Sequence, residues 1–109
     1  MAKFRDVDID ELAFEKGSRL VYFCHPTSGP CRTFEPQLVE FLDRLGFSDD
    51  AVLRVNTQGC EDAASAFGVI GVPALALVID GKPREWLFGR LSDEFVLATL
   101  TRWKDILGS

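Results

Sequence analysis

Apolar positions change period repeatedly along this chain, and each change marks an element. Over residues 8–16, Ile9, Leu12 and Ala13 recur at helical spacing, and Gly17 reads as a stop. Residues 19–24, Arg-Leu-Val-Tyr-Phe-Cys, form a nearly unbroken apolar run, as expected of a strand buried on both faces. His25-Pro26-Thr27 reads as a loop. From Ser28 to Leu45 the period is helical, with Phe34, Leu38, Phe41, Leu42 and Leu45 on one face. Pro36 lies inside that pattern and predicts a kink, because it removes one backbone donor.

Residues 51–56 predict a second strand, and Glu61 to Phe67 a short helix followed by Gly68. Ala74 to Ile79 predicts a third strand. Asp80-Gly81 is a hairpin signal, with a return strand over Arg84 to Phe88. Residues 92–107 predict a closing helix with Ser92 as N-cap, and with Phe95, Val96, Leu100 and Ile106 on its buried side. Strands alternating with helices, then a hairpin, predict an α/β class domain. Its central mixed β-sheet should carry helices on both faces, and its parallel crossovers should be right-handed.

Length and composition add bounds. The 109 residues suit one domain over residues 1–109, and 47% hydrophobic content suffices for a core. The net charge of -5, with no basic stripe, argues against nucleic acid or an anionic membrane as partner. No apolar stretch is long enough to span a bilayer. Met1 to Asp6 lacks the apolar heart of a signal peptide. The expected location is cytoplasmic, or else that of a secreted form whose leader has been removed.

The chemistry concentrates at Ser28-Gly29-Pro30-Cys31, at the start of a predicted helix. A sulfur in place of the Ser28 oxygen would make the run Cys-Gly-Pro-Cys. Together with the preceding strand, Pro36, the Gly71-Val72-Pro73 loop and the hairpin from Ala74 to Gly89, this spacing resembles the thioredoxin family. Cys60 to Ser65 resembles the corresponding helix of animal thioredoxins. The resemblance covers nearly the whole chain. It implies the thioredoxin fold, thiol–disulfide exchange with protein substrates, a thioredoxin-reductase-like reductant, and no cofactor. It also implies a cis Val72–Pro73 bond facing the site, where an extended peptide docks.

The departures fall on the reactive positions. The family's attacking cysteine matches Ser28, and the tryptophan before it matches Thr27. A second aromatic matches Cys24, the buried acid matches Tyr22, and the threonine after the cis-proline matches Ala74. Disulfide exchange requires a thiolate, which serine cannot supply. Ser28 therefore reads as a helix N-cap, or as an engineered replacement of a native cysteine. Cys31 reads as the remaining motif thiol, or as a buried inert one.

Cys24 and Cys31 are candidates for a relocated disulfide, and Cys24 also reads as a filler of the volume a lost aromatic leaves. His25, the chain's one histidine, is a candidate thiolate stabiliser or a solvated loop residue. Cys24, His25 and Cys31 match no zinc spacing, so no metal is expected. Cys60, at a helix start, is a candidate regulatory thiol. Trp86 and Trp103 read as packing residues.

Three functions remain open on this basis. The first is a thiol–disulfide oxidoreductase, or a single-thiol derivative of one, in redox homeostasis. The second is a non-catalytic adaptor whose groove at Thr27, Ser28, Gly29, Pro30, Val72 and Pro73 binds a peptide or protein. The third is a redox sensor built on a Cys24–Cys31 disulfide.

Overall fold

The computed structural model describes residues 3–88 and 92–107. Five strands form one mixed sheet: β1 (Phe4–Asp6), β2 (Ser18–Cys24), β3 (Val52–Asn56), β4 (Ala74–Ile79) and β5 (Lys82–Phe88). Their order is β1-β3-β2-β4-β5. The first three are mutually parallel, and β4 runs antiparallel to both β2 and β5. The helices are α1 (Gly29–Arg44), α2 (Glu61–Phe67) and α3 (Asp93–Leu107).

Strand alternation divides the core into two halves. Leu20 and Tyr22 of β2 and Leu75 and Leu77 of β4 pack with Leu38 and Leu42 of α1 and Leu100 and Trp103 of α3. Val21, Phe23, Ala74 and Ala76 point the other way, toward Leu12, Phe67 and Trp86. The unbroken apolar runs therefore arise because both sheet faces are covered. Burying one large aliphatic or aromatic side chain in such a core contributes about 1.5–3 kcal/mol.

Four features differ from the sequence-based expectation. The edge strand β1 is too short and too polar to show a period. The segment expected as a helix over 8–16 is a 3-10 turn at Ile9–Phe14, closed by Glu11 N–H to Asp8 carbonyl at 3.0 Å and Glu15 N–H to Leu12 carbonyl at 3.2 Å. Only Leu12 of this turn is fully buried, and Phe14 is 81% exposed. On α3, Phe95 and Ile106 face solvent, whereas Val96, Leu100, the unexpected Thr99 and Trp103, read as a packing residue, are buried. The inward stripe runs through 96, 99/100, 103 and 107, which leaves 95 and 106 on its flank. The return strand begins at Lys82 rather than Arg84.

The hairpin has positive φ at both central residues, Asp80 (51°) and Gly81 (81°), the signature of a type I′ turn. A Cβ at Gly81 would stand 2.9 Å from the Ala13 carbonyl oxygen, so the 3-10 turn packs directly on this hairpin. Pro36 lies within α1 without ending it. The Ser92 Oγ accepts the Phe95 N–H at 3.2 Å, as its N-cap role requires. The expected hairpin end at Gly89 lies outside the described residues.

Candidate functional site

Strand β2 and helix α1 meet at His25-Pro26-Thr27-Ser28, and the site is built around this junction. The end of β2 is pinned, because the Cys24 carbonyl accepts both the Thr57 N–H (2.8 Å) and the Thr57 hydroxyl (3.0 Å). The chain then turns through a Ser28 N–H to His25 carbonyl bond of 3.0 Å. Ser28 is the N-cap of α1, with extended backbone, and its Oγ accepts the Cys31 N–H at 3.2 Å. This occupies one of the orphan donors at the helix start. Gly29 and Pro30 form the exposed first turn.

Two depressions flank the junction. The front groove, about 350 Å³, is lined by Thr27, Ser28, Glu61, Ile70, Gly71 and Val72. Ile70 is 82% exposed there, an apolar side chain presented to solvent. The Val72–Pro73 bond is cis, and Pro73 is buried beneath the groove. His25 is tied across this face: its Nδ1 accepts the Thr27 N–H at 3.2 Å. That leaves Nε2 to carry the ring hydrogen in the neutral form, facing the Glu61 carboxylate at 3.7 Å. Backbone N–H groups at the start of α2 hold the Glu61 carboxyl below its ordinary range, with a smaller contribution from His25.

The rear cleft is larger, about 710 Å³, and both Cys24 and Cys31 line it. Cys31 is 3% exposed and Cys24 half-buried, and both are free thiols. Neither lines the front groove, which holds Ser28 instead. Cys24 Sγ points to the Val55 carbonyl at 3.7 Å, as a protonated thiol would. Burial, the neighbouring Cys31 thiol and Glu35 push the Cys24 thiol up to about 11, against a smaller opposing pull from Arg54.

Tyr22, fully buried, stands behind the two sulfurs with its hydroxyl 3.5 Å from the Cys31 carbonyl. Burial, then Cys31, Cys24 and Glu35, raise its phenol well above the ordinary range, so it is a neutral group. A cationic bridge forms one wall of the cleft. Arg54 of β3 reaches Asp6 of β1 bidentately at 2.6 and 3.0 Å and Glu35 of α1 at 3.0 Å. It also stacks 5.0 Å from the Phe4 ring centroid. The doubly paired guanidinium lowers the Asp6 carboxyl through its hydrogen bonds.

Cys60 is placed elsewhere, before α2, with its Sγ 3.5 Å from the Asn56 carbonyl in a small acidic hollow shared with Asp10 and Glu61. Burial and the Glu61 charge raise its thiol. The structure thus groups Thr27, Ser28 and Val72 in front and Cys24 and Cys31 behind. Sequence reasoning missed Asp6, Glu35 and Arg54. The one signal for them was Arg54 itself, a charge inside the apolar run Val-Leu-Arg-Val. Among the described residues no cluster of metal-ligating side chains occurs, and no helix of these residues is long and apolar enough to cross a membrane.

Comparison with known proteins places this geometry in context. The family model described as Thioredoxin matches residues 3–102. Thioredoxin 1 of Synechococcus elongatus is 31% identical over 84 residues, covering 76% of this chain and 77% of that protein. A thioredoxin of Staphylococcus aureus is 30% identical over 90 residues, covering 82% and 84%. The chain spans only 39% of the wheat chloroplastic M-type thioredoxin, with which it is 34% identical over 71 residues. It spans 23% of the rice protein disulfide isomerase-like 5-2. The solved structure of a mutant thioredoxin from Halobacterium salinarum superposes with a TM-score of 0.66 at 24% identity, covering 94% of each chain, a likeness of fold.

Proposed function

The chain belongs to the thioredoxin family, and on that premise we propose that it is a thioredoxin-like redox protein whose chemistry rests on Cys31, with Cys24 as its partner thiol. The observation that carries this reading is that Cys24 and Cys31 line one cleft. A dithiol there exchanges two electrons and two protons as the bridge forms and opens. Ser28 keeps the helix capped but contributes no sulfur. The groove at Thr27, Gly29, Pro30, Val72 and Pro73 is the surface for an extended protein or peptide partner, which would pair with backbone beside Pro73. A thioredoxin-reductase-like protein is the expected source of electrons, and the cytoplasm the expected compartment.

The test is intact mass and peptide mapping of the non-reduced protein, alkylated in denaturant after treatment with diamide. A Cys24–Cys31 bridge that mild reductant opens supports the reading. Three free thiols after diamide reject it. A second reading, a non-catalytic adaptor, is favoured by the front groove, which presents a serine hydroxyl where exchange needs sulfur. Equal, near-background insulin reduction by this chain and by Cys31→Ser, together with tight binding of an extended peptide, would establish that reading.

A further inference from the structure

We propose that Cys24 is the thiol that meets substrate, and that it reacts with a small cationic disulfide admitted through the rear cleft, with Cys31 completing the exchange. The inference rests on the redox reading above and names its substrate class and route. Asp6 ends β1, Cys24 ends β2 and Asn56 ends β3, and all three line the cleft. A crevice at the carboxyl ends of parallel strands is where open α/β sheets take up ligands. Of the two cysteines, Cys24 is the more exposed, while Cys31 is only 3% exposed. A protein disulfide docked beside Pro73 meets Ser28, whereas a small molecule entering from behind meets Cys24.

Charge selects among small molecules. The lining carries four carboxylates, Asp6, Asp8, Glu11 and Glu35, against Arg32 and Arg54. Arg54 is committed to Asp6 and Glu35. The net field in the cleft therefore favours a cation and repels an anion. The same field disfavours the Cys24 thiolate, because Cys31, Glu35 and Asp6 all oppose its charge. A bound ammonium supplies the opposing positive charge, so a cationic disulfide assists ionisation of the thiol that attacks it.

Cys24 loses its proton to solvent and its sulfur attacks one sulfur of the substrate, forming a mixed disulfide and expelling one small thiolate. The Cys31 sulfur then attacks the Cys24 sulfur and expels the second thiolate. The thiolates take up the two protons that the protein released. The protein dithiol is oxidised to a disulfide, and one small disulfide is reduced to two thiols.

The experiment compares cystamine, a diamine disulfide, with anionic glutathione disulfide, in the Cys60→Ser background so that two thiols remain. Adduct formation is followed by quenched mass spectrometry at low and high salt. The expected result is reaction with cystamine about tenfold faster at low salt, with the preference shrinking as salt rises. In Cys31→Ser the adduct should accumulate on Cys24, while the parent should end in the Cys24–Cys31 bridge. Arg32→Glu, an exposed substitution on the cleft wall, should increase the cystamine preference, and it serves if Cys31→Ser does not fold.

Equal rates for the two disulfides, or no effect of Arg32→Glu, would overturn the charge selection. Faster adduct formation at Cys31 in Cys24→Ser than at Cys24 in Cys31→Ser would overturn the order of attack. If diamide forms the bridge while cystamine shows no preference, the redox pair stands and the cleft route fails. If diamide forms no bridge, the redox reading fails first.

Discussion

The two sides of the β2–α1 junction share a backbone but differ in chemistry. The front groove presents an exposed Ile70 beside Val72, and Ser28 there is the N-cap of α1. The rear cleft is lined by Cys24 and Cys31 and by the Asp6–Arg54–Glu35 bridge. On the function proposed above, recognition and electron transfer, combined on one face when sulfur occupies the N-cap, are divided between two. A change of one atom at residue 28 is enough, because sulfur at the N-cap faces the groove while Cys31 lies inside the first turn.

The largest effect that sharpens this contrast is the pH response of the rear thiol. The Cys24 pKa is about 11, so its alkylation should rise about tenfold per pH unit and span about a thousandfold between pH ~8 and ~11. The facing groups are Cys31, Glu35 and Asp6, which raise that pKa, and Arg54, which lowers it. Arg54→Gln should therefore move the midpoint upward. Linkage gives the stability consequence. The folded pKa lies above the ordinary thiol value of 9.0. The contribution is fully present below that ordinary value and is lost as pH rises through about 11, a decline that Cys24→Ser should flatten in urea titrations.

Next in size, Ser28→Cys should merge the two faces again by placing sulfur in the front groove. Insulin reduction should then rise on the order of a hundredfold above the parent chain. An unchanged rate would mean that the front groove has lost more than its nucleophile. Ser28→Ala separates capping from chemistry. Loss of the bond to the Cys31 N–H should cost about 1 kcal/mol in denaturant unfolding, with no change in the diamide-induced bridge.

The smallest effect concerns the cleft wall. Asp6 has its carboxyl lowered by Arg54, so its contribution is present above the ordinary carboxylate value of 3.8 and is lost as pH falls through the lowered one. Asp6→Asn should remove that acid-side dependence, and high salt should mask the difference, since the Asp6 side of the pair is largely exposed.

Much of this was legible in the chain. The unbroken runs at 19–24 and 74–79 read as strands covered on both faces, because burial on two sides removes the polar alternation. The Asp80-Gly81 turn and the Ser92 cap were legible because backbone conformation there depends on the residue itself. The edge strand β1 was not, since three polar-flanked residues carry no period, and pairing with β3 makes it a strand. Nor was the orientation of α3, where Phe95 and Ile106 are as apolar as the buried positions and only the sheet decides which face turns inward.

By itself, then, the sequence determined the order of elements from β2 onward, the family and the missing sulfur at Ser28, because these depend on local period, turn chemistry and side-chain identity. Tertiary structure alone decided that Cys24 and Cys31 open onto one cleft, and that Arg54 ties β1, β3 and α1 together behind them. Those groupings join residues distant in sequence, and only the parallel pairing of β1, β3 and β2 brings their carboxyl ends to one place.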